Sequence, residues 1–189
     1  MSEFTLTAQS ALEGYDQTFN GIALREANDL AVVSLAIQLD GEKPVNTAIR
    51  KAYGTALPPV GQSVLSGDGK TRLARLGVDQ IFVLFTHPKP DAAARVLGKI
   101  SNAAYGTDQT DNWVALEISG VRSRAVLERI CAIDLDASAF EMNALARTTM
   151  EHLGAIVVRT GDDTFLLLSA RSSAGSFLHA LTMSIQNIL

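Results

Sequence analysis

The stretch AIVVRTGDDTFLLLSA, residues 155–170, decides how this chain must fold. Ala155–Arg159 and Thr164–Ala170 are β-branched and aliphatic runs, so each reads as a strand. Both are apolar on both faces. A strand without a polar face must be covered twice, so the sheet holding these two carries packed layers above and below.

The segments around them supply those layers. A helix from Ser172 places Ala174, Phe177, Leu178, Leu181, Ile185 and Ile188 on one side. Before the stretch come a helix over about 122–131 and a strand over about 144–151. Trp113–Ser119 is a strand with Val114, Leu116 and Ile118 on one face. Further upstream, LAVVSLAIQL (30–39) is a strand and Val45–Tyr53 a short helix stopping at Gly54. LPPVGQS (57–63) is a connection that proline keeps out of any central strand. Thr71–Leu76 and Gln80–Phe85 are two strands joined as a hairpin around Gly77-Val78-Asp79. HPKP (87–90) breaks the chain before a helix over Asp91–Ala104. Residues 29–120 therefore read strand, helix, strand, strand, helix, strand, the order of a ferredoxin-like unit. The expected class is α+β: two related halves, about 26–106 and 107–189, forming one compact body. Residues 1–25, polar and aperiodic, are expected to form an extended arm ordered against a partner.

The bulk numbers limit function. At 189 residues the chain is long enough for a sizeable core without staples. A hydrophobic fraction of 47% and a charged fraction of 19% describe a globular protein. A net charge of −4 and a pI near 5.3 argue against nucleic acid as partner. One cysteine makes no internal disulfide, and with three scattered histidines it builds no structural zinc site. The opening residues show no secretory pattern, and no apolar run approaches the roughly 20 residues that span a bilayer. A cytoplasmic, soluble chain is expected.

Candidate chemistry concentrates in RICAIDLDASAFEMNALART (129–148), where Cys131 is followed by Asp134, Asp136, Glu141 and Arg147. Cys131 falls on the apolar side of its helix, and a reactive thiolate needs exposure and a cationic neighbour. Asp134 reads either as half of a catalytic carboxylate pair or as a turn cap or partner of Arg147 or Arg129. GDGKT (67–71) fails as a phosphate loop, because the motif requires glycine at position 64 and Val64 stands there. No dinucleotide-binding glycine pattern follows any strand. His87, His152 and His179 are isolated. Asp108 and Asp111, in YGTDQTDNW before Trp113, either bond their own turn or face a ligand. The expectation is a chain with no catalytic residue, metal or cofactor of its own.

The order of LPP (57–59), LGVDQIFVLF (76–85), DQTDNWVALEISG (108–120), CAIDLDASAF (131–140), ART (146–148) and FLLLSARSSAGSFLHAL (165–181) resembles the gamma subunit of heterotetrameric sarcosine oxidase over about residues 24–185. Phe82 stands near the place of a usual tryptophan, and Val121 replaces a usual proline. The resemblance implies a fold similar to the folate-binding domain of the glycine-cleavage aminomethyltransferase. It implies a structural subunit in a complex with alpha, beta and delta chains, which oxidatively demethylates sarcosine. The products are glycine, hydrogen peroxide and formaldehyde or methylenetetrahydrofolate. FAD, FMN, NAD and tetrahydrofolate then belong to other subunits, and the isolated chain is expected to self-associate. The alternative is a stand-alone folate-binding, aminomethyltransferase-like protein, which needs Asp108 or Asp111 on the pterin ring in a pocket between the halves.

Overall fold

The computed structural model describes residues 9–189, and its strands sort into two antiparallel sheets. In chain order, β1 (Asp16–Phe19) and β2 (Ile22–Glu26) form a hairpin. There follow β3 (Leu30–Ala36), α1 (Glu42–Tyr53), β4 (Gln62–Leu65), β5 (Thr71–Arg75), β6 (Gln80–Thr86), α2 (Ala92–Lys99) and β7 (Tyr105–Asp108). The remainder is β8 (Trp113–Ser119), α3 (Ser123–Glu128), β9 (Leu145–Met150), β10 (Leu153–Gly161), β11 (Thr164–Ala170) and α4 (Ala174–Gln186). One sheet runs β4-β5-β6-β3-β7 and the other β1-β2-β8-β11-β10-β9.

The apolar pattern stacks these elements into four layers. α1 and α2 cover one sheet through Val45, Ile49 and Val96. The two sheets face each other through Val32, Phe82 and Leu84 on one side and Ile156, Val158, Leu166 and Leu168 on the other. α3 and α4 cover the second sheet, with Phe177, Leu181 and Ile185 fully buried against Leu116, Val157 and Phe165. The strands of residues 155–170 are thus covered on both faces, as their composition requires.

The two sheets are copies of one plan. Reading β3, α1, β5, β6, α2, β7 gives a ferredoxin-like unit with β4 added at its edge. Reading β8, α3, β10, β11, α4, β2 gives a second unit in the same strand order, with β9 added at its edge. In the second unit the last strand comes from the beginning of the chain. The units touch where the two added strands begin: Gln62 bridges Ala144, Leu145 N–H donates to Gly61 O at 2.9 Å, and Ser63 N–H donates to Asn143 O at 2.8 Å. RLGVD (75–79) and RTGDD (159–163) occupy matching places. Arg75 donates to the carbonyls of Gly77, Val78 and Pro58. Arg159 donates to those of Gly161, Asp162 and Phe140.

Several expectations need correction. Residues 16–26 are not an arm: Ile22 and Leu24 are buried, and β2 pairs with β8 in register Ala23↔Ser119. Residues 1–8 of that expected arm lie outside the described residues. The strand that closes the first unit is β7, and β8 belongs to the other sheet. The connection expected over 57–63 ends early, because Gln62 and Ser63 begin the edge strand Gln62–Leu65. The helix expected to reach Ala104 stops at Lys99, because Ser101 and Asn102 take left-handed conformations (φ 52° and 56°). Among the described residues, no helix is long and apolar enough to cross a membrane.

Candidate functional site

The loop after α3 spends its charged groups on itself. The helix ends at Glu128, so Cys131 lies past it, half-buried against the α3–α4 core and bridged to Met150. Asp134 Oδ1 accepts the Asp136 N–H at 2.9 Å. Asp136 Oδ1 accepts the N–H (3.0 Å) and the hydroxyl (2.8 Å) of Ser138, and its Oδ2 accepts Arg124 Nη1 at 2.9 Å. Those Ser138 bonds, with Arg124 beside them, hold the Asp136 carboxyl below the usual range. Phe140 seals the loop into the core, while Arg147 turns away and donates to Gln80 Oε1. This arrangement sets a turn; it does not pair a nucleophile with a base.

The other candidates are similarly placed. GDGKT is the β4–β5 turn: Gly69 has φ 70°, and Asp68 Oδ1 accepts Ser66 Oγ at 2.5 Å and Lys70 N–H at 3.1 Å. Asp108 Oδ1 accepts the Thr110 N–H at 3.0 Å, and Asp108 and Asp111 are both exposed. His87 Nε2 lies 2.6 Å from Asp91 Oδ1, which lowers the Asp91 carboxyl. His152 and His179 are exposed. Among the described residues, no three His, Cys, Asp or Glu side chains gather to hold a metal ion.

The concave feature lies elsewhere. A groove of about 500 Å³ runs between α1 and the end of α2, lined by Lys43, Thr47, Lys51, Lys99, Ile100 and Ala103 among others. Neither Asp108 nor Asp111 borders it. Lys43, Thr47 and Lys51 follow a four-residue spacing and so share one face of α1. That spacing is visible in the sequence, but the lysine contributed by α2 is not placed beside it without the fold. Lys99, at the border of the groove, has its Nζ 5.2 Å from the centre of the Tyr53 ring.

Burial pushes the Tyr53 hydroxyl from its usual 10.0 up to about 12, against a small opposing pull from Arg95. An unfolded chain ionises this phenol first. Its contribution to stability is therefore intact below pH 10 and falls as pH rises toward 12. Tyr53→Phe should lose less stability than the wild type between those limits when denaturant unfolding is followed against pH. Identical pH profiles would show that Tyr53 ionises freely in the folded chain.

Comparison with known proteins gives a consistent picture. No family model matches the chain. It is 30% identical over 135 residues to the sarcosine oxidase gamma subunit of Corynebacterium sp. (strain P-1), covering 71% of this chain and 66% of that one. It is 28% identical over 124 residues to the gamma subunit from Arthrobacter sp., covering 65% of this chain and 61% of that one. The matches thus span just under two thirds of these relatives' length. Among solved structures, a chain of the heterotetrameric sarcosine oxidase from Corynebacterium sp. U-96 superposes with a TM-score of 0.75 at 23% identity, covering 88% of this chain and 84% of that one. The glycine cleavage aminomethyltransferase T from Bartonella henselae superposes with a TM-score of 0.65 at 15% identity, covering 85% of this chain and 45% of that one. At these identities the structural likenesses establish the fold.

Proposed function

Because the chain belongs to the sarcosine oxidase gamma-subunit family, we propose that it is a structural subunit of a heterotetrameric oxidase that demethylates sarcosine. The 30% identity over 135 residues carries this reading. On it, the oxidative chemistry takes place on the alpha, beta and delta chains. Those chains hold FAD, FMN, NAD and tetrahydrofolate, and this chain contributes surface. The deployment of its own groups supports that division. Cys131 packs, Asp134 and Asp136 brace a turn, and Asp108 bonds its own backbone. A subunit of this kind acts by burying partner surface, and obligate interfaces commonly exceed roughly 2,000 Å².

The test is purification of the tagged chain from its native host. Recovery of larger chains with flavin absorbance, oxidising sarcosine with release of hydrogen peroxide, is the expected result. A colourless single chain would overturn the reading. Titration of that chain with tetrahydrofolate, alongside Asp108→Asn and Asp111→Asn variants, would then be the next measurement.

A further inference from the structure

One end of the first unit exposes more apolar surface than the corresponding end of the second, where Val121 stands exposed. Ala36 pairs with both Gln80 and Tyr105, so the loop after β3, the β5–β6 turn and the start of β7 meet at one end of the sheet. Three large apolar side chains stand exposed there: Leu39 (95%), Val78 (74%) and Tyr105 (68%). Single exposed apolar residues are ordinary, but three converging on one sheet end mark a contact surface. The lysine groove opens beside them. Leu39 lies in the turn that leads into α1, four residues before Lys43, and Ala103 lies two residues before Tyr105.

Charge sharpens the picture. Lys43, Lys51 and Lys99 border the groove without a carboxylate among its lining residues, on a chain whose net charge is −4. Among the described residues, none of the three is in an ion pair. Among the nearby acids, Glu42 binds Arg75 at 3.0 Å and Asp68 is held by Ser66 and Lys70, while Asp40 lies exposed next to Leu39 and Asp79 next to Val78. Carboxylates thus flank the apolar residues, and the groove itself is lined by lysines alone among charged groups. The second unit is an internal control. Its helix in the place of α1 is α3, where Arg124 is already bound to Glu128 and Asp136. In its matching turn Asp162 stands in the place of Val78, while an aspartate follows in both turns, Asp79 and Asp163.

We infer that this end of the first unit receives a segment of a partner chain of the complex that presents an apolar side chain flanked by carboxylates. The apolar tip meets Leu39, Val78 and Tyr105, and the carboxylates meet the three lysines. This rests on the subunit reading above and names the surface through which it operates. Charged groups so arranged speed and orient docking, and apolar burial holds the complex.

Three exposed-site variants test it in the native host: Lys43→Glu/Lys51→Glu/Lys99→Glu, Leu39→Asp/Tyr105→Ser, and Val121→Asp at the corresponding end of the second unit. Thermal unfolding of each isolated chain checks that folding is kept. The wild type and Val121→Asp should recover the flavin-bearing chains. The other two should recover at least about tenfold less, a penalty of about 1.4 kcal/mol, and wild-type recovery should fall with salt. Equal recovery by all variants would overturn this surface and leave the subunit reading standing. No complex from the wild type would overturn both. Wild-type self-association abolished by the same variants would assign the surface to a second copy, against the proposal.

Discussion

Arg159→Met is expected to destabilise the chain by about 3–5 kcal/mol, because it strips donors from three carbonyls at once. Arg159 is buried, and its guanidinium reaches Phe140 O at 3.0 Å, Gly161 O at 3.3 Å and Asp162 O at 2.9 Å. Methionine keeps most of the aliphatic packing and none of these bonds. The matching Arg75 adds an ion pair to Glu42, whose side chain is 60% exposed. Glu42→Gln should therefore cost far less than Arg159→Met. Denaturant unfolding of the two variants separates the contributions of carbonyl bonding and charge pairing. A methionine variant within about 1 kcal/mol of wild type would mean that water replaces the arginine at those carbonyls.

The second large effect is at Gly120, where alanine is expected to cost at least about 4 kcal/mol and lower the melting temperature on the order of 10 °C. Its φ of 122° suits glycine alone, and a Cβ there would stand 2.2 Å from Gly21 O. The obstacle is backbone of the β1–β2 turn, so it has no side chain to swing aside. Gly120 also anchors its surroundings, donating to Asp163 O at 3.0 Å and accepting Ser123 N–H at 2.7 Å. Gly175→Ala in α4 is the contrast: nothing lies within 4 Å of its added Cβ, and the change should be neutral or mildly stabilising. Equal melting temperatures for both alanine variants would show that the β1–β2 turn yields freely.

The sequence made the interior strands legible because their signal is local. Thr164–Ala170 was bounded to the residue, and Trp113–Ser119 likewise, since uninterrupted or alternating apolar runs need no knowledge of their partners. The strands β1, β2, β4 and β7 were not legible, because their formation depends on what lies alongside. IALRE (22–26) does alternate, with Ile22 and Leu24 inward, but it sits in polar surroundings and pairs with a strand far along the chain. YGTD (105–108) has a mostly exposed pattern, and only hydrogen bonding to β3 makes it a strand. At the candidate residues, the sequence left Asp134 open between a catalytic carboxylate, a turn cap and a partner of Arg147 or Arg129, and the structure shows its Oδ1 accepting the Asp136 N–H. The sequence missed the groove because its lysines come from two helices that only the fold aligns. The repeat of R-x-G-x-D at positions 75 and 159 was available in the sequence and would have exposed the duplicated plan.

The position of β2 bears on how this chain is made. The hairpin of residues 16–26 leaves the ribosome well before the strand it pairs with, which begins at Trp113. Ile22 and Leu24 must remain without cover while the whole of the first unit emerges and folds behind them. The second unit then closes by reaching back to a strand made before the whole of the first unit. Each half is thereby stitched to the other by the chain itself, so heating should melt them in one step, and clipping before residue 24 should open the half made last.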